Sequence, residues 1–80
     1  MTVKDVVANN FRLLCKKRGI TPNELATLSG VTPSTVYSLL DDRRRDVSII
    51  TIKKLCDGLE ISLGEFFATP EFEALEPEIQ

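Results

Sequence analysis

Apolar residues recur three and four positions apart along most of the chain: Val7, Phe11 and Leu14; Leu25 and Leu28; Val36, Leu39 and Leu40; Ile52, Leu55, Cys56 and Leu59; Phe66 and Phe67. That spacing is the period of an amphipathic α-helix, and no stretch alternates as a half-buried strand would. Five times a hydroxyl residue stands where it can cap a helix, with an apolar residue just before it and another four positions after it. The sets are Met1-Thr2-Val6, Ile20-Thr21-Leu25, Val31-Thr32-Val36, Val47-Ser48-Ile52 and Ile61-Ser62-Phe66, each with the spacing of a hydrophobic staple. Thr21 with Glu24 and Ser62 with Glu65 complete capping boxes, and Pro22 and Pro33 fall at the first helical position, where a missing N–H costs nothing. Gly19 ends the first helix after the cationic turn Lys16-Lys17-Arg18, and Gly30 punctuates the second. These signals predict helices over roughly 3–18, 22–29, 33–40, 49–59 and 63–68. Beyond Thr69, a further two turns carrying Phe72 and Leu75 on one face, or a frayed end, would stop before Pro77.

Eighty residues have room for one core, so the pattern describes a single all-α domain of five helices with a short tail. The absence of His and the isolation of Cys15 and Cys56 leave no metal-ligand or Cys/His set, and no cofactor is expected. With no nucleophile elbow and no glycine-rich phosphate loop, no catalytic residue can be nominated and the chain reads as a non-enzyme. No long apolar run and no basic-then-apolar leader is seen, so the expectation is a cytoplasmic protein with no membrane partner. The net charge of −2 conceals an asymmetry. All ten Lys and Arg and eight of the acids lie within residues 1–67, whereas Glu71, Glu73, Glu76 and Glu78 crowd the tail. The body is mildly basic and the tail acidic.

The second and third helices are short and joined only by Ser29-Gly30-Val31-Thr32, the connection of a helix-turn-helix. Ala26 is small where the two would cross, and Leu25, Val31, Val36 and Leu39 can seat the third helix on the core. At this point the chain resembles the Xre/Cro-like helix-turn-helix regulators of the phage repressor type. The resemblance rests on Asn10-Phe-Arg-Leu-Leu-Cys-Lys-Lys-Arg-Gly-Ile-Thr21, Glu24-Leu-Ala26, Ser29-Gly-Val31, Ser34-Thr-Val36, Thr51-Ile-Lys-Lys-Leu-Cys56 and Ile61-Ser-Leu-Gly-Glu-Phe-Phe67. It implies a lambda-repressor-like DNA-binding domain over residues 1–68, with an acidic tail over 69–80. It also implies a third helix laid in the major groove, a second helix across the backbone, and a twofold homodimer on double-stranded DNA. Three features depart from the family pattern. Cys15 and Leu40 replace a common Arg–Glu link between the first and third helices, so an apolar contact is expected there. Asp42 and Glu60 stand where Gly is usual at helix ends, with Gly58 two positions before Glu60. Pro22 replaces a frequent Gln, leaving Asn23 and backbone N–H groups to meet phosphate.

Carried onto this sequence, the recognition face comprises Thr32, Pro33, Ser34, Tyr37 and Ser38, with Thr21 and Asn23 beside the backbone and Thr35 serving mainly the helix start. Ser34 and Ser38 can bond several base edges or be plain solvated surface, and the bidentate readers of guanine and adenine are missing from the helix. Tyr37 can stack on sugar or bond a phosphate, or lean onto the core rim or a partner. Modest direct readout is the consequence, with shape and backbone contacts supplying more of the affinity. Arg43, Arg44 and Arg45 follow the third helix where they would meet phosphates or a narrow minor groove, although Asp41, Asp42 and Asp46 can neutralise the run in the free protein. Lys16, Lys17 and Arg18 read as dipole partners of the first helix and surface rather than as DNA ligands, and Lys53 and Lys54 as a solvated face that could also reach phosphate. The tail is either a solvated end or a segment that docks Phe72, Leu75 and Ile79 on a second subunit. The resulting reading is a sequence-specific transcriptional regulator, a repressor with no small-molecule ligand predicted. The alternative is an interaction module such as an antitoxin or adaptor that keeps the fold but binds protein.

Overall fold

The computed structural model describes residues 1–79, and its described residues form six helices without strands: α1 Val3–Arg18, α2 Pro22–Ser29, α3 Pro33–Leu40, α4 Ile49–Gly58, α5 Leu63–Phe67 and α6 Pro70–Glu73. The five predicted helix starts are all present. At each, a hydroxyl side chain accepts a hydrogen bond from a backbone N–H of the first turn, from Asp5, Glu24, Thr35, Ile50 and Glu65 in turn. A third capping box joins the two anticipated ones: the Asp5 carboxylate accepts from the Thr2 N–H at 2.8 Å, so a shorter acid does the work of Glu. The Thr2 N–H first, and then the Thr2 hydroxyl, hold the Asp5 carboxyl below its ordinary value, as the same groups of Ser62 do for Glu65.

Three helices end with one terminator. After α1 and α2 the glycines Gly19 and Gly30 adopt left-handed backbone (φ 64° and 69°), and Ile20 and Val31 donate back to the carbonyls of Cys15 and Ala26. After α4 the same bond runs from Ile61 to Cys56, at 3.0 Å, but the left-handed residue is Glu60 (φ 58°), where a side chain costs about 1–2 kcal/mol. The helix closes at Gly58, one residue short of the predicted end, because the chain must already be turning into that conformation. Gly58 itself answers a different need. A Cβ built there would lie 2.2 Å from the Ser29 hydroxyl oxygen and 3.0 Å from the Ser29 Cα and N, so α2 and α4 approach as closely as backbone allows.

The core draws on every helix from α1 to α5: Phe11, Leu25, Ala26, Val36, Leu55, Cys56 and Leu59 are sealed from solvent, with Ile52, Leu39 and Phe66 nearly so. Phe66 stacks on Phe11 at 4.4 Å between ring centroids. Cys15 and Cys56 are free, buried thiols that fill this core as small apolar residues. Burial, helped by the Asp57 charge, pushes Cys56 up to about 11, which keeps it protonated and unreactive at neutral pH. Leu40, opposite Cys15 in the expected apolar link, packs against the same cluster.

The tail differs from expectation. It forms one helical turn rather than two, since the Thr69 side chain makes no cap bond and Ala74 ends the segment. Phe72 lies 4.8 Å from the Phe67 ring and 5.8 Å from Phe66, half-buried against its own chain's core. Leu75 is half-buried and only Ile79 of the three is exposed. The Val3 N–H bonds to the Glu78 carboxylate at 3.2 Å, so the tail returns along α1 toward its amino end.

Two substitutions test this frame. Gly58→Ala should lower unfolding stability by about 1–3 kcal/mol through overpacking against Ser29, whereas Glu60→Gly should raise it by about 1 kcal/mol by relieving the left-handed side chain. Urea denaturation followed by circular dichroism distinguishes them by the direction of the midpoint shift.

Candidate DNA-binding surface

The outward face of α3 is built from its first turn. Thr32 caps the helix, and its hydroxyl lies 2.9 Å from the Thr35 hydroxyl and 3.0 Å from that of Ser34, so three hydroxyls form one cluster at the helix start. Thr32, Pro33 and Ser34 are exposed, and Tyr37 follows one turn later at 51% exposure. Val36 and Leu39 face the opposite way and are buried, which fixes the rotation of the rod. Thr35 and Ser38 are half-buried at its flank.

Thr21 and Asn23 lie at the start of α2. The Thr21 hydroxyl accepts from the Glu24 N–H at 3.1 Å and its own N–H donates to the Glu24 carboxylate at 3.0 Å, so this side chain is committed to the helix end while remaining exposed. Asn23 is exposed, and its backbone carbonyl accepts from the Thr27 hydroxyl.

The loop after α3 separates the three arginines. Asp41, at the carboxyl cap of α3, accepts from the Arg43 N–H at 2.9 Å, from Arg43 Nε at 3.1 Å and from Arg43 Nη2 at 3.0 Å. Those bonds hold the Asp41 carboxyl down at about 2. Arg44 borders a shallow cleft with Thr35, Ser38, Leu39, Asp46, Val47, Ser48 and Thr51. Arg45 is near enough to α1 to contribute weakly to the lowering of Asp5. Among the described residues neither Arg44 nor Arg45 forms an ion pair.

The cleft adds Ser48 and Thr51, which the sequence reading passed over as a cap and a helix residue. The available signal was their spacing: Ser48, the cap of α4, and Thr51, in its first turn, stand three positions apart.

What seats α3 is two cations from α1. Lys4, 2% exposed, donates from Nζ to the Asp41 carbonyl at 2.6 Å. Arg12 donates to the Leu40 carbonyl and lies 3.5 Å from the Asp42 carboxylate. α3 has no basic residue in its own last turn, so its terminal carbonyls take their positive partners from another helix. The Arg-to-helix-end link that Cys15 and Leu40 cannot make is thereby supplied from other positions.

A short helix pair closed by a glycine turn, with the second helix exposed along a polar face and held at its far end, defines the helix-turn-helix class of nucleic-acid-binding domain. The profile of the Cro/C1-type HTH DNA-binding domain matches residues 10–71, and the chain belongs to that family. Among solved structures it is similar to the crystal structure of prophage Lp1 protein 11, at 32% identity and a TM-score of 0.82, over 94% of this chain and 99% of that one. No match was found among curated proteins. No described helix is long and apolar enough to cross a membrane.

Lys4→Met should cost about 1–3 kcal/mol of stability, because it leaves the Asp41 carbonyl without its donor; thermal unfolding checks it. The sign for Asp41 follows from its depressed value. The Arg43 pair stabilises the folded loop fully above the unfolded carboxyl's value near 4, and that contribution is lost as pH falls toward about 2. A carbon-13 NMR titration of the Asp41 carboxyl should show a midpoint near 2, and a midpoint near 4 would mean that the pair does not form.

Proposed function

We propose that this protein is a sequence-specific DNA-binding transcriptional regulator, a cytoplasmic repressor, that lays α3 in the major groove of an operator as a homodimer. The observation that carries the reading is the placement of Thr32, Pro33, Ser34 and Tyr37 on the exposed side of a helix whose other side is sealed into the core, with Arg44 and Arg45 beside it and without ion-pair partners. Thr35 and Ser38 border the flank, and Thr21 and Asn23 stand where the start of α2 would cross the backbone. Arg43 joins the set through the same loop. The similarity to a prophage protein supports a phage-type regulator.

On this reading the side chains of α3 give modest base discrimination, since Ser and Thr bond to several base edges. Backbone contacts and duplex shape contribute the remainder. Residues 1–68 form the reading body. Residues 69–80, with four glutamates, oppose nonspecific attraction to phosphate.

Fluorescence anisotropy on a duplex selected from a random pool, at two salt concentrations, tests the proposal. A preferred site is expected, with affinity falling steeply as salt rises, because each phosphate contact releases counterions. Replacing Arg43, Arg44 and Arg45 together by Ala should weaken binding across all sequences, whereas Ser34→Ala or Tyr37→Ala should change which sequence is preferred. A triple variant that binds like the parent removes the loop from the interface, and a parent that binds no duplex at low salt leaves the protein-interaction alternative standing. Sedimentation with and without the selected duplex reads the oligomeric state.

A further inference from the structure

We propose that Asp41 is a built-in competitor for the phosphate backbone: its carboxylate occupies Arg43 in the free protein and limits how much of the arginine loop a duplex can recruit. The inference rests on the DNA-binding reading above and concerns the regulation of that same surface. Its basis is geometric. Both carboxylate oxygens of Asp41 are engaged by the Arg43 side chain, Nε on one and Nη2 on the other, the paired arrangement a guanidinium also makes with phosphate. The carboxylate therefore stands in for the ligand that the arginine would otherwise grip.

The two partners are unequally held. The Asp41 side chain is 26% exposed, its N–H donates to the Ser38 carbonyl at 3.2 Å, and its own carbonyl is held by Lys4. The Arg43 side chain is 91% exposed. The acid is thus fixed to the end of α3, and the arginine is the partner folded back onto it. Asp42, the neighbouring acid, is turned to Arg12 and makes no ion pair with the loop arginines. Among the described residues Arg44 and Arg45 are left unpaired, so the free loop offers two ready guanidinium groups and a third in reserve. A duplex that recruits Arg43 must first displace the Asp41 carboxylate, which is charged at every pH near neutrality. Weak, sequence-independent encounters are penalised by that exchange, and a well-seated complex that aligns a phosphate with Arg43 recovers it.

The test is a double-mutant cycle on the full chain. Its probe is a fluorescein-labelled random-sequence duplex, titrated by anisotropy over a salt series from about 50 to 200 mM. Asp41→Asn keeps the shape and the backbone bonds but removes the charge and one of the two acceptors that hold the guanidinium. It should tighten binding several-fold at low salt and steepen the slope of log affinity against log salt by about 0.9, the increment for one more phosphate neutralised. Arg43→Ala should weaken binding less in the parent than in the Asp41→Asn background, where it should abolish the whole gain. Asp42→Asn makes the same change in net charge without freeing Arg43 and should leave the slope unaltered.

If Asp41→Asn binds more weakly, or Arg43→Ala costs the same in both backgrounds, Asp41 orients Arg43 for contact and the proposal is overturned. Equal tightening by Asp41→Asn and Asp42→Asn would reduce the effect to net charge and overturn it as well. Failure of the parent and every variant to bind any duplex would instead sink the DNA-binding reading, and the competitor with it. Circular dichroism at the assay temperature establishes that each variant is folded.

Discussion

The carboxyl end of α3 is where the molecule is held together for any task the helix performs. A peptide of eight residues is far too short to be helical by itself in water, so α3 exists only because its surroundings hold it. Val36 and Leu39 anchor one side in the core, but apolar contacts alone would allow the helix to slide or fray at its end. Lys4 and Arg12, reaching across from α1, bind the last carbonyls and remove that freedom. The exposed hydroxyl face is presented at a defined angle because two positive groups clamp the opposite pole of its dipole.

The amino ends of the five principal helices were legible in the sequence because their signals are local. A hydroxyl residue, two apolar neighbours and sometimes an acid lie within a span of six residues, and nothing distant can easily override them. The ends of helices were less so. Glu60 adopts a backbone that a sequence reader assigns to glycine, and only the Ile61-to-Cys56 bond and the surrounding packing explain why it does. Gly58 invites the opposite error, since a glycine near a helix end looks like a terminator and here it is a point of contact with Ser29.

The candidate surface was readable in its composition but not in its connections. Neutral hydroxyls and one phenol on α3, followed by three arginines, stand plainly in the chain. That the three arginines are unequal follows from the Arg43 side chain folding back onto Asp41, which depends on the local turn. The burial of Lys4 had no signal at all, because a lysine in the first turn of a helix looks like solvent-facing surface until the acceptor 37 residues away is known. The packing of Phe72 was hidden for a related reason: its ring meets Phe66 and Phe67 of its own chain, a contact between elements that the sequence pattern does not display.

The chain contains no tryptophan and a single tyrosine, and that tyrosine is Tyr37. Half-exposed on α3, its phenol is the dominant native emitter of ultraviolet fluorescence, and it sits on the surface that any occupant of the helix would cover. The protein consequently carries its own optical probe on the exposed face of α3. Quenching or a spectral change of that one ring reports on its immediate neighbourhood with no dye attached and with almost no background from the remainder of the fold.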